Sequence, residues 1–250
     1  MSHHTIDLTD VRYQYPDGTP ALTGLSLHIG HGEAVAIVGA NGSGKTTFLS
    51  HLAGLLLPNA GEVNIGGYPV TPQTLAHIRQ TVGFVFQNPD DQLFIPTVYE
   101  DVALGPINMG LPTAEVEKRV TAALQTVAAL ALKDRPPYRL SGGQKRAVAI
   151  ATVLAMEPAI LVMDEPTAAL DPFARRQLIN LLRTFSHTKI IATHDLDMVL
   201  DLCERTVVLK DGRVLADGKT HELFGDQALL AEARLEQPFS LQACPICSRT

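Results

Sequence analysis

Gly39-Ala40-Asn41-Gly42-Ser43-Gly44-Lys45-Thr46 is the stretch on which the fold turns. It matches the pattern G-x-x-x-x-G-K-[ST] and sits between the apolar run Ala34 to Val38 and a segment of helical character. Its glycines let backbone N–H groups curl around phosphate oxygens, and the N-terminus of the following helix adds partial positive charge. Lys45 is placed for the β- and γ-phosphates of a nucleotide, and the Thr46 hydroxyl for Mg2+. The plainer alternative is a glycine-rich turn with a chance Lys-Thr. At average residue frequencies such a match arises in roughly one chain of this length in a hundred, before a strand and a helix are required around it.

Similar apolar runs occur at Ile160 to Met163 and Lys189 to Thr193, each after a helical pattern and each ending in polar residues. Apolar strands alternating with helices predict a parallel sheet covered on both faces. The first 70 residues read as strands and turns, with one helix after Lys45. Val11, Tyr13 and Tyr15 alternate as strand residues do, and Pro16-Asp17-Gly18 signals a turn. Residues 97–157 read as helical, with breaks at Gly105-Pro106, Gly110, Pro112 and Pro136-Pro137. The expected architecture is α/β: a phosphate-loop nucleotidase core, an N-terminal antiparallel β part, and an α-helical subdomain inserted over about residues 88–157. The domain is expected to run over 1–236 and to be followed by a mobile tail, 237–250.

The 250 residues are 18% charged and 46% hydrophobic, with a net charge of −6. A nucleic-acid binder would normally show a basic stripe, and none is present, so no nucleic-acid partner is expected. The longest apolar segment, Ala147 to Met163, is broken by Glu157 and Pro158, which excludes a membrane span. The start, MSHHTIDL, lacks the features of a secretory signal. Three cysteines make no even disulfide framework and fit a reducing compartment. Cys244-Pro245-Ile246-Cys247 has the spacing of half a zinc site, but no second pair completes it.

Asp164 ends the run Ile160-Leu161-Val162-Met163, at the carboxyl end of a buried strand, where open α/β sheets bind nucleotides. An Asp there can hold Mg2+, usually through water. Glu165 can act as general base for a water attacking the γ-phosphate. Helix-capping carboxylates before Pro166 are the alternative for the pair. Leu140-Ser141-Gly142-Gly143-Gln144 contains a capping box, Ser141 with Gln144, predicting a helix to about Ala155. Such an open helix N-terminus is also an anion site.

With both phosphate-binding motifs and LSGGQ in this order, the chain resembles ABC-type ATPases over nearly its whole length. The resemblance implies ATP and Mg2+ as ligands and a head-to-tail pair of such domains. Ser141, Gly142, Gly143 and Gln144 of one copy would complete the site on the other copy's phosphate loop. Asn41, Gly42, Ser43, Gly44, Lys45, Thr46 and Thr47 would bind the nucleotide. Tyr15 matches the aromatic that stacks on adenine, with Tyr13 as runner-up. Gln87 matches the glutamine that senses Mg2+, held with Thr46 and Asp164, and the attacking water. Asp171 matches the loop crossing the dimer interface; it also reads as an N-cap before Pro172. His194 matches the histidine near the γ-phosphate. Glu165 and a complete signature in one chain imply a homodimer with two competent sites.

Gln87-Asn88-Pro89-Asp90-Asp91-Gln92-Leu93-Phe94, followed by Pro96-Thr97-Val98 and Glu100-Asp101-Val102-Ala103, resembles the ATPases of energy-coupling factor transporters, particularly the cobalt/nickel type. Those importers join a pair of ATPases to a transmembrane coupling protein and a substrate-binding membrane protein. The resemblance implies a peripheral location on the cytoplasmic face of the cell membrane. It implies that Asp90 and Asp91 face arginine-bearing helices of the coupling protein. Leu93, Phe94 and Ile95 would line that groove or close the core of the helical insert. A vitamin, taken up through a shared module with a second, unequal ATPase, is the alternative cargo. The rival outputs are a soluble ABC protein acting on DNA or the ribosome, and a small-molecule kinase. The first lacks its coiled-coil insertion or second cassette here, and the second leaves LSGGQ unexplained.

Overall fold

The computed structural model describes residues 4–242; the Cys244–Cys247 pair lies outside them. The chain opens with the antiparallel strands β1 (Ile6–Gln14) and β2 (Pro20–Ile29). In β1, Ile6 and Leu8 point inward, and a bulge at Thr9 and Asp10 resets the alternation so that Val11 is buried as well. A further register shift follows Tyr13, and Tyr15 lies beyond the strand. The two tyrosines therefore part company. Tyr13 packs on the core, while Tyr15 sits in a turn closed by hydrogen bonds from its own N–H to Thr19 and from Gly18 back to Tyr15.

Next come β3 (Ala34–Val38), α1 (Lys45–Leu52), β4 (Ala60–Ile65), β5 (Tyr68–Pro69), α2 (Leu75–Thr81) and β6 (Val82–Val85). Strands β2-β1-β4-β5 form a four-stranded antiparallel sheet. Beyond β6 lie three helices, α3 (Val98–Asn108), α4 (Thr113–Thr126) and α5 (Gly142–Leu154), which share a core built on Val102, Leu124 and Val148. The chain then returns to the main body as β7 (Ile160–Asp164), α6 (Pro172–Thr184), β8 (Thr188–Ala192), α7 (Leu196–Leu202) and β9 (Arg205–Lys210). It ends in β10 (Arg213–Lys219), α8 (Thr220–Gly225) and α9 (Gln227–Glu232).

The second sheet has the order β10-β9-β3-β8-β7-β6, parallel except for the edge strand β10. Val35 to Val38 are completely buried, as a central strand with both faces covered requires. One face meets the antiparallel sheet and α1; the other meets α6 and α7. Among the described residues no helix is long and apolar enough to cross a membrane.

Two expectations need correction. Gly105-Pro106 does not break α3, which continues to Asn108. Pro106 falls in the last turn, where its missing N–H deprives only one carbonyl. Gly105 also lets Met156 pack close, since a Cβ there would lie 2.6 Å from Met156 Cγ. Nor is the segment from 237 onward a free tail throughout. The Phe239 and Ser240 N–H groups donate to the Asp197 carboxylate at 3.2 and 3.0 Å, and Gln237 bonds the Phe224 carbonyl.

Gly83 in β6 is pressed against α5: a Cβ there would meet Val153 Cγ1 at 2.3 Å and Pro158 Cγ at 2.8 Å. Gly83→Ala should overpack this contact and cost about 1–3 kcal/mol. A lowered urea midpoint at constant slope is the expected result; an unchanged midpoint contradicts the packing described.

Candidate active site

The phosphate loop leaves the carboxyl end of β3 and enters α1. Gly44, at φ 101°, is the N-cap, and a Cβ on it would lie 2.7 Å from the Ala21 carbonyl oxygen. No side chain caps α1, so its first N–H groups point at the loop without a side-chain acceptor. That is the geometry of an anion site. Lys45 Nζ arches over the loop and donates to the carbonyls of Gly39 at 2.8 Å and Ala40 at 3.2 Å. Burial lowers its pKa, while the Glu165 and Asp164 charges oppose that shift.

Asp164 closes β7 and is buried. Burial raises its pKa, against the Thr46 hydroxyl hydrogen bond and the nearby charges of Lys45, His194 and Arg146. Glu165 adopts φ 46°, an uncommon conformation for a non-glycine residue, and its N–H is tied to the Ala192 carbonyl at 2.8 Å. Its Oε2 accepts from the Thr193 hydroxyl and the His194 N–H, both at 3.2 Å. Its Oε1 is buried without a hydrogen-bond partner among the described residues, and His194 Nε2 stands 3.5 Å away. One carboxylate oxygen is anchored and the other is left to accept a proton. His194 Nε2 is also 3.3 Å from Lys45 Nζ.

These groups line one cavity of about 580 Å³. It brings together Tyr15, Asn41, Gly42, Gly44, Lys45, Thr46, Thr47, Gln87, Asp164, Glu165 and His194. The Tyr15 ring is 36% exposed and its hydroxyl lies 2.8 Å from Thr47 Oγ1. Tyr13, the runner-up, is outside the cavity. The Ser43 side chain is buried, with no partner for its hydroxyl among the described residues. The donor set fits a magnesium-bound triphosphate. Among the described residues no three His, Cys, Asp or Glu side chains group as metal ligands. A divalent ion would take Asp164, Thr46 and Gln87 from the protein and its remaining oxygens from phosphate and water.

Ser141 and Gln144 form both halves of the capping box at α5, through Gln144 N–H to Ser141 Oγ at 3.3 Å and Ser141 N–H to Gln144 Oε1 at 3.0 Å. Ser141 and Gly142 are exposed, and a Cβ on Gly142 would meet nothing within 4 Å. None of Ser141 to Gln144 lines the nucleotide cavity of its own chain. Asp171 caps α6, accepting from the Phe173 and Ala174 N–H groups at 2.9 Å each.

Three further residues emerge only in three dimensions. Arg146, buried in α5, donates to the carbonyls of Phe86 at 2.6 Å and Gln87, and so ties the glutamine loop to the LSGGQ helix. Gln92 adds a second tie, accepting from the Phe86 N–H and donating to Ala149 O and Thr152 Oγ1. Arg175 grips Asp195 through two bonds of 2.5 and 2.7 Å, linking the start of α6 to the residue after His194. Arg146 directly precedes the mostly apolar run Ala147 to Leu154, and nothing local in the sequence marks its partners Phe86 and Gln87. Asp90 pairs with Lys145 of α5 at 2.6 Å, whereas Asp91 lines a neighbouring groove.

The phosphate loop, the strand-ending Asp-Glu pair and the capped LSGGQ helix are joined by the match of the family described as ABC transporter to residues 22–168. The chain belongs to the ABC transporter family. It is an ATPase, as the ATP-binding proteins of that family are. This ABC ATPase is 61% identical over 249 residues to an ABC transporter ATP-binding protein of Geobacter sulfurreducens, with 100% of each chain covered. It is 49% identical over 238 residues to the energy-coupling factor transporter ATP-binding protein EcfA of Methanothermobacter thermautotrophicus, covering 93% of this chain and 76% of that one. Its structure is similar to that of CbiO1 from Clostridium perfringens, part of the ABC transporter complex CbiONQ, with TM-score 0.80 and 40% identity, covering 93% and 95% of the two chains.

Arg146→Lys keeps the charge but cannot hold two carbonyls with one fork. We expect ATP affinity to stay near wild type and kcat to fall about tenfold or more, because Gln87 loses its position relative to the reacting phosphate. Steady-state kinetics with nucleotide binding measured separately checks this, and an unchanged kcat contradicts it.

Proposed function

We propose that this ATPase powers an energy-coupling factor importer as a head-to-tail pair of copies on the cytoplasmic face of a membrane, with cobalt or nickel ions as cargo. The observation that carries the reading is the groove beside the glutamine loop. It has a volume of about 630 Å³ and is walled by Leu55, Phe84, Phe86, Phe94, Leu104, Met109 and Met156. Phe94 is 71% exposed over it, whereas Leu93 belongs to the helical core. Two carboxylates reach the groove, Asp91 and Asp101. Asp101 spends Oδ1 on the Phe94 and Ile95 N–H groups, and its buried Oδ2 has no partner among the described residues. An apolar trough with acidic groups suits a helix that carries an arginine, the feature expected of the coupling protein. The likeness to CbiO1 of the CbiONQ complex supports the transporter type.

In the catalytic cycle, Tyr15 stacks on adenine while Asn41 to Thr46 and Lys45 hold the phosphates. Mg2+, on Asp164, Thr46 and Gln87, would neutralise charge on the β- and γ-phosphate oxygens. Glu165 Oε1 takes the proton of the attacking water, and His194 stands beside the oxygens of the γ-phosphate. The Ser141–Gln144 terminus, exposed at Ser141 and Gly142, supports closure by a second copy, since it lies outside its own chain's cavity.

Glu165→Gln should bind ATP, hold a stable dimer and hydrolyse about a hundredfold or more slowly, the scale of a lost general base. Wild-type hydrolysis would remove Glu165 from that role. Asp91→Arg should keep the ATPase rate of the isolated chain while abolishing co-purification with detergent-extracted membrane partners identified by mass. Retained assembly contradicts the groove assignment. Recovery of a soluble partner in place of membrane proteins contradicts the importer reading.

A further inference from the structure

Tyr15 would make a poor base platform if its ring were free, because it follows the end of β1 and sits in a turn. Two contacts hold the ring. Its hydroxyl meets Thr47 Oγ1 at 2.8 Å, and Tyr13 packs against it with ring centroids 5.1 Å apart and planes at 86°. Tyr13 is in turn held by His51, at 5.0 Å and 77°. His51 is completely buried, one helical turn after Thr47 on α1, and its Nδ1 lies 2.7 Å from the Thr47 carbonyl oxygen. A carbonyl can only accept, so Nδ1 carries the proton. Nε2 is buried without a partner among the described residues, and burial lowers the imidazole pKa, which keeps the ring neutral.

The contacts close on themselves: Tyr15 to Thr47, Thr47 to His51, His51 to Tyr13, and Tyr13 back to Tyr15. The helix that carries Thr47 and His51 begins with Lys45 and Thr46, so the base platform and the phosphate site are fixed to one rigid element. We propose that Tyr13 and His51 are positioning residues that pre-order the Tyr15 ring and thereby set how much the base, as distinct from the triphosphate, adds to nucleotide binding. This rests on the reading of Tyr15 as the residue that stacks on adenine. Pre-ordering matters because a side chain immobilised before binding loses no freedom on binding. Edge-to-face aromatic pairs prefer the geometry seen at both contacts. Tyr13 and His51 touch no nucleotide themselves, since both lie outside the cavity lining.

The test compares ATP with inorganic tripolyphosphate, which has the phosphates and no base. Tyr13→Leu in the full chain should raise KM for ATP about three- to tenfold, the scale of one lost aromatic pair. It should leave kcat and the affinity for tripolyphosphate, measured by competition, unchanged. Tyr13→Phe, which keeps the ring, should restore the wild-type KM. His51→Leu, which removes the support behind Tyr13 and fits the apolar surroundings, should repeat the selective loss. An unchanged KM in Tyr13→Leu overturns the proposal. So does an equal loss for ATP and tripolyphosphate, which would mark a distorted phosphate loop. Tyr15→Leu separates the two levels. If it leaves KM unchanged, the platform reading itself fails; if it raises KM while Tyr13→Leu does not, only the positioning role fails.

Discussion

In the parallel ladder the ends of four strands stand nearly level. Ile37 of β3 and Asp164 of β7 both pair with Ala192 of β8, and Val85 of β6 pairs with Met163 of β7. The residues that follow these ends are the phosphate loop, Glu165, His194 and Gln87, so the register itself assembles the site along one edge of the sheet. Side chains alternate along a strand, and a slip of one residue would turn Asp164 away from Thr46 and Lys45. The apolar filling of both faces prevents that slip, with Val35 to Val38 and Ile160 to Met163 wholly buried. Core packing and catalytic geometry are thus the same constraint.

The helical insert is attached to this edge through α5. Arg146 and Gln92 lash the glutamine loop to that helix, whose first residues carry the signature. The groove proposed for the membrane partner lies against the same helix at Thr152 and Val153, and against Met156 just beyond its end. A change at Gln87 on loss of the γ-phosphate would therefore reach both the signature and the groove through one helix. Asp90, bonded to Lys145, strengthens that connection from within the chain.

Much of the molecule was legible in the residues because local chemistry and fold agree there. The phosphate loop needs glycines and an open helix start, and Ser141 with Gln144 needs three-residue spacing; both patterns survive in a linear reading. The hairpin of β9 and β10 escaped, although Asp211-Gly212 at its turn, both at positive φ, carried the signal. Pro106 misled because a proline near a helix end costs little when the surrounding core fixes the helix. Tyr13 and Tyr15 looked equivalent by alternation, and a register shift between Tyr13 and Gln14 separated them. Arg146, Gln92 and the Tyr13–His51 contact join positions far apart in sequence, which no local pattern reveals.

The central claim is that each chain carries two half-sites that work only across a pair of copies. The most direct measurement mixes a chain disabled in the phosphate loop, Lys45→Met, with one disabled in the signature, Ser141→Arg, each inactive alone. In a mixed dimer one site collects both lesions, while the other combines an intact phosphate loop with an intact signature. The account predicts that mixing restores ATP hydrolysis. If the mixture stays as inactive as its parts while mixed dimers demonstrably form, the signature does not act across copies and the account is wrong.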